Sequence, residues 1–140
     1  MNEQDKKKIA EIAKRHGLAL VVLFGSQARG DARKKSDFDI AYSSIAPMDL
    51  REENNMAIEF HSVCRTINVD LVNLRNAGPL LLREIVDEGV VLYEAKESLF
   101  NNLYLYAMRI FRDSAALNGL RREYVLHRAD KFKKDAAFTR

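Results

Sequence analysis

Residues 18 to 24 read LALVVLF, seven apolar residues in a row with Gly17 before them and Gly25 after. A run this short between two glycines reads as a buried strand. As a helix it would fall far short of the roughly 20 residues needed to cross a bilayer. The chain must therefore build a sheet around this segment. At 140 residues it has room for one domain and one core.

The flanking sequence supplies the other elements. Residues 3 to 16 carry Ile9, Ile12 and Ala13 at helical spacing, with Gly17 as the stop. Gly25-Ser26 turns the chain into a short helix or loop over 27 to 32. Residues 37 to 42 alternate, which predicts a strand with one polar face. Pro47, Asp49, Glu52 and Glu53 mark a helix start, and Met56, Phe60, Val63, Cys64 and Ile67 form its apolar stripe. Residues 69 to 74 read as a strand, Gly78-Pro79 opens a helix to about Glu88, and residues 90 to 93 form a fourth strand. From about Lys96 the pattern is helical. Leu99, Leu103, Tyr106, Ala107, Ile110 and Phe111 share one face, and Asn118-Gly119 is expected to break or kink the helix. The fold class is α/β (α+β): a small mixed sheet with helices packed on one face, followed by C-terminal helices. Residues 1–95 are expected to form the minimal domain. Residues 96–140 are then a helical extension that belongs to it or binds a partner.

Two acids stand out within this frame. Asp37 and Asp39 share a strand face, because side chains alternate with period two, while Phe38 and Ile40 point to the other. Two like charges ~6 Å apart repel by roughly 3 kcal/mol at an effective dielectric near 20, so something must offset them. Asp70, inside the apolar run NVDLVNL, is a third. Burying an unpaired carboxylate is costly, so packing alone does not explain it. If its strand lies beside that of Asp37 and Asp39, three carboxylates converge, and such oxygen clusters suit hard divalent cations. Gly25 lets a phosphate approach the backbone, Ser26 offers a hydroxyl beside free N–H groups, and Arg29 lies one helical turn on. A phosphate cradle beside an acid triad is equipment for phosphoryl or nucleotidyl transfer.

The string GSQARG…SDFDI, with ten residues between Gly25-Ser26 and Asp37-Phe38-Asp39, resembles the signature of the minimal nucleotidyltransferases of the DNA polymerase beta superfamily. The resemblance spans about residues 5 to 95, and Asp70 falls where the family places its third carboxylate. It implies the nucleotidyltransferase fold, ATP as substrate and two Mg²⁺ ions. It also implies Asp37, Asp39 and Asp70 as catalytic and metal-holding residues, and Gly25, Ser26 and Arg29 on the phosphates. Small stand-alone members are often antitoxins that transfer AMP to a tyrosine hydroxyl of a partner HEPN ribonuclease toxin. The expected partner is such a toxin, in a hetero-oligomer. Two alternatives stay open: a small-molecule nucleotidyltransferase of the aminoglycoside-modifying kind, and a non-catalytic antitoxin that occludes its partner.

Blander readings stand beside these. Ser26 also serves as a plain N-cap, and Arg29 as a solvated helix residue. Lys34 and Lys35 read as a solvated loop. Arg122 and His127 have a spacing similar to the active site of HEPN ribonucleases, but here the spacing is read as a helical coincidence. His16 and His61 have no partner acid or cysteine at metal spacing. The basic tail from Arg121 reads as a solvated helix face, whose Leu120, Tyr124 and Phe132 are also placed to dock a partner. The net charge of +3 gives no argument for direct nucleic-acid binding, and none is expected. Cys64 is the one cysteine, so no internal disulfide forms, and the N-terminus lacks the apolar stretch of a signal peptide. A cytoplasmic protein with no membrane association is the expectation.

Overall fold

The computed structural model describes residues 1–30 and 37–138. Its elements run α1 (Glu3–Arg15), β1 (Leu18–Phe24), α2 (Gly25–Arg29), β2 (Phe38–Ser44), α3 (Leu50–Cys64), β3 (Val69–Asn73), a 3₁₀ turn (Leu74–Asn76), α4 (Pro79–Glu88), β4 (Val90–Glu94) and α5 (Leu99–Phe138). The four strands form one sheet in the order β3-β2-β1-β4. β1 is antiparallel to both β2 and β4, and β2 is parallel to β3. A parallel pair cannot be joined by a hairpin, so α3 carries the chain from one edge of the pair back to the other.

The apolar run of β1 is explained by burial on both faces of the sheet. Leu18, Val21 and Leu23 join Ile9, Ile12, Met56 and Phe60 in a first core cluster under α1 and α3. Leu20, Val22 and Phe24 join Leu82, Ile85, Val86 and Ala107 in a second cluster under α4 and α5. The mixed sheet with packed helices and a C-terminal helix is as the sequence predicts. Helical cover extends beyond one face: α1 and α3 lie on one side, and α4 joins the C-terminal helix on the other.

Helix ends follow local chemistry. Asp49 caps α3 by accepting from the Glu52 backbone N–H, and the Glu52 side chain accepts from the Asp49 N–H in return. That reciprocal pair satisfies two donors that would otherwise be left open. Asn2 and Asp5 repeat the device at α1, and Asp5 also pairs with Arg65 at 3.1 Å. Pro79 opens α4, and Gly89 follows its last residue.

Two expectations change. α3 ends at Cys64, with Arg65 in the left-handed region, so Ile67 leaves the stripe and is 85% exposed. Asn118-Gly119 does not break the last helix, because α5 runs unbroken through it. Within α5, Leu103 and Ala107 belong to the second cluster, whereas Leu117, Leu120, Tyr124, Val125 and Leu126 are exposed. The cationic stem of α4 adds to this seam: the Arg83 guanidinium lies 4.8 Å over the Phe111 ring and pairs with Asp87. His16 meets Glu59 of α3 at 2.9 Å, and Glu59 also pairs with Arg15. Among the described residues no helix is long and apolar enough to cross a membrane.

Candidate functional site

The site forms where β1 ends and β2 and β3 begin. Antiparallel register sets Phe24 against Asp39, and parallel register sets Asp39 against Asp70. Neighbours in register share a sheet face, so Asp39 and Asp70 stand side by side. Their strand mates Ile40 and Leu71 pack into the first core cluster on the opposite face. Asp37 lies one residue before β2, on the face of Asp39 by the same alternation, and is exposed. The register sets Asp70 beside Asp39, the strand pairing on which the sequence reading of three converging carboxylates depends. Among the described residues, no three His, Cys, Asp or Glu side chains form a ready-made metal cluster.

Gly25 is buried, with φ +72°, in the left-handed region that favours glycine. A Cβ built on it would collide with the Asp39 carboxylate. The turn and the acid are thus packed against each other, which the ten-residue spacing alone does not reveal. Ser26 follows in the first turn of α2 and is half-buried. α2 has no side-chain N-cap, and Gly30 closes it at φ +77°. The Arg29 Nη1 donates to Glu88 Oε2 of α4 at 2.6 Å. Lys34 and Lys35, together with the end of the helix expected over 27 to 32, lie outside the described residues.

Asp39 has its pKa raised, first by burial and then by the negative charges of Asp70, Asp37 and Glu84, with Arg29 acting the other way. Glu84, on α4, is the acid that sequence reading missed. It looks like any solvated helix residue, and only the packing of α4 beside α2 brings it near. The net balance at Asp39 is an excess of negative charge around a partly desolvated carboxylate. An oxygen-only donor set with that imbalance fits a hard cation. An apolar hollow of about 300 Å³ between the sheet and α5, lined in part by Leu20, Leu74, Leu103 and Tyr106, contains none of the site residues.

Comparison with known proteins agrees with this geometry. The family described as "Polymerase beta, Nucleotidyltransferase" matches residues 7–98. A protein adenylyltransferase MntA of Shewanella oneidensis is 29% identical over 99 residues, covering 69% of this chain and 70% of the relative. A chain of a solved toxin–antitoxin structure with AMP-PNP superposes with a TM-score of 0.74 at 24% identity, covering 86% of this chain and 98% of that one. A chain of a tri-AMPylated Shewanella oneidensis HEPN toxin in complex with its MNT antitoxin gives 0.71 at 23% identity, covering 90% and 99%. At these identities, the two structural likenesses show the fold.

Proposed function

The chain belongs to the polymerase beta nucleotidyltransferase family, and from that premise we propose that it is an antitoxin that transfers AMP from ATP to a tyrosine hydroxyl of a cognate HEPN toxin. The observation that carries the reading is the register of Asp39 against Asp70 beside the Gly25 turn. The names of its relatives support the rest: a protein adenylyltransferase, a complex with AMP-PNP and an AMPylated HEPN toxin.

Asp37, Asp39 and Asp70 would hold divalent metal, two Mg²⁺ ions in this reading, and bound metal would neutralise triphosphate charge beside the acids. Gly25 leaves the backbone open for a phosphate, and the Ser26 hydroxyl and the amides after it donate to phosphate oxygens. Arg29 adds a cation at the end of the same short helix. Asp70 takes the proton of the acceptor hydroxyl. The acceptor oxygen then bonds to the α-phosphorus, the bond from that phosphorus to the bridging oxygen breaks, and pyrophosphate leaves. The chain's contribution is chiefly positioning and charge balance.

The decisive experiment incubates the chain with ATP, Mg²⁺ and a candidate HEPN toxin from the same organism, followed by mass spectrometry. AMP on a tyrosine of that protein is the expected result. AMP on a small molecule instead, or inhibition of the toxin with no AMP on any acceptor, replaces this reading with one of the two alternatives.

The same proposal gives the second half of α5 a task. Its exposed Leu117, Leu120, Tyr124, Val125 and Leu126 touch no core cluster, and a helix of that length needs a surface to bury against. The toxin is that surface. Truncation after Leu117 is expected to leave the melting temperature and ATP affinity unchanged. Toxin association should weaken by about tenfold or more, on the order of 1.4 kcal/mol, as pull-down titration would measure.

A further inference from the structure

α4 packs beside α2, and Glu84 and Glu88, four residues apart, are neighbours along α4. Glu88 meets the last residue of α2, Arg29, in an ion pair of 2.6 Å. Both partners are partly exposed, with side chains 43% and 33% accessible. An ion pair this wet adds little to stability, so fold maintenance is a poor account of it. Its place is more informative. Arg29 stands one turn after Ser26, on the helix that begins at the Gly25 turn, and its position is tied through Glu88 to α4, which is anchored in the core by Leu82, Ile85 and Val86.

We propose that Glu88 is a positioning residue for the nucleotide: it holds the Arg29 guanidinium where the terminal phosphates of a nucleoside triphosphate arrive. This rests on the nucleotidyltransferase reading above. A guanidinium carries five N–H donors in a fixed fork, so one arginine can serve a carboxylate and a phosphate at once. A long side chain that is already ordered loses less freedom when ligand binds. The sequence hides the pair, because Arg29 and Glu88 are 59 residues apart and each reads as a solvated helix charge.

Calorimetry with Mg-ATP and with AMP, on the full chain, tests the assignment through four proteins: unaltered, Glu88→Gln, Arg29→Ala and the double variant. Glu88→Gln should weaken ATP binding about fivefold, the worth of roughly one ordered side chain, and leave AMP binding unchanged. In the Arg29→Ala background the same change should have no further effect on ATP. ATP binding by Glu88→Gln as tight as that of the unaltered chain, or tighter, overturns the proposal. Equal losses with and without Arg29 also overturn it, since Glu88 would then act by another route. Failure of the unaltered chain to bind ATP at all overturns the nucleotidyltransferase reading, and the proposal falls with it.

Discussion

Asp39→Asn is expected to lower the rate of AMP transfer by about 10²–10³-fold, the usual range when one electrostatic group of a reaction site is removed. The substitution keeps the shape packed against Gly25 and removes only the charge. Stability should move the other way. The carboxyl of Asp39 has a raised pKa, so the folded state resists its ionisation. Above that raised value the charge costs folding free energy, and the asparagine variant is then the more stable by about 0.2–1 kcal/mol, given how open the site is. As pH falls through the raised pKa the advantage shrinks, and below the ordinary carboxylate range it is gone. Melting curves in chelating buffer from neutral to acid pH check the sign. A variant that melts lower than its parent at neutral pH, or that transfers AMP at near the parental rate, removes Asp39 from the centre of the site.

Gly25→Ala should damage the fold and the site together. The left-handed conformation at φ +72° costs a residue with a Cβ about 1–2 kcal/mol. The collision with the Asp39 carboxylate adds the cost of displacing it, about 1–3 kcal/mol. A loss of roughly 2–5 kcal/mol is a large share of the ~5–15 kcal/mol that holds a domain together. Gly30→Ala is the internal control. Gly30 has φ +77°, but among the described residues nothing lies within 4 Å of its added Cβ. It should lose only the backbone part, keep ATP affinity within about twofold, and keep transfer. Equal loss of activity in the two variants would mean that contact between Gly25 and Asp39 is irrelevant to chemistry.

Much of this was legible in the sequence because period and punctuation are local. Leu18–Phe24, the Asp37–Asp39 alternation and the Gly78-Pro79 and Gly89 boundaries all appear where their residues predict. The misreadings have physical causes. Ile67 continues a helical spacing past the point where Arg65 turns left-handed and ends α3. Gly119 costs an exposed helix about 1 kcal/mol relative to alanine, too little to interrupt α5. The second helical layer was implied by the unbroken apolar β1, since a strand with polar residues on neither face is covered on both. Glu59 with His16, Glu84 near Asp39 and Glu88 with Arg29 were beyond reach. Each depends on which helices the sheet sets side by side.

The parallel pairing of β2 with β3 also bears on when the site comes into being. Its two central acids come from strands separated by the whole of α3. Closing a crossover of that length costs chain entropy before any contact rewards it, and such non-local pairings form slowly. The antiparallel contact of β1 with β2 is nearer in sequence and closes a shorter loop. An emerging or partly folded chain can therefore carry the glycine turn and Asp39 while Asp70 is still absent from their side. On the proposed function, competence for chemistry requires the crossover to close, and a ligand that bridges both strands would bind only the completed form. Such a ligand would shift the unfolding equilibrium by mass action, about 2.7 kcal/mol at a hundredfold excess over its dissociation constant.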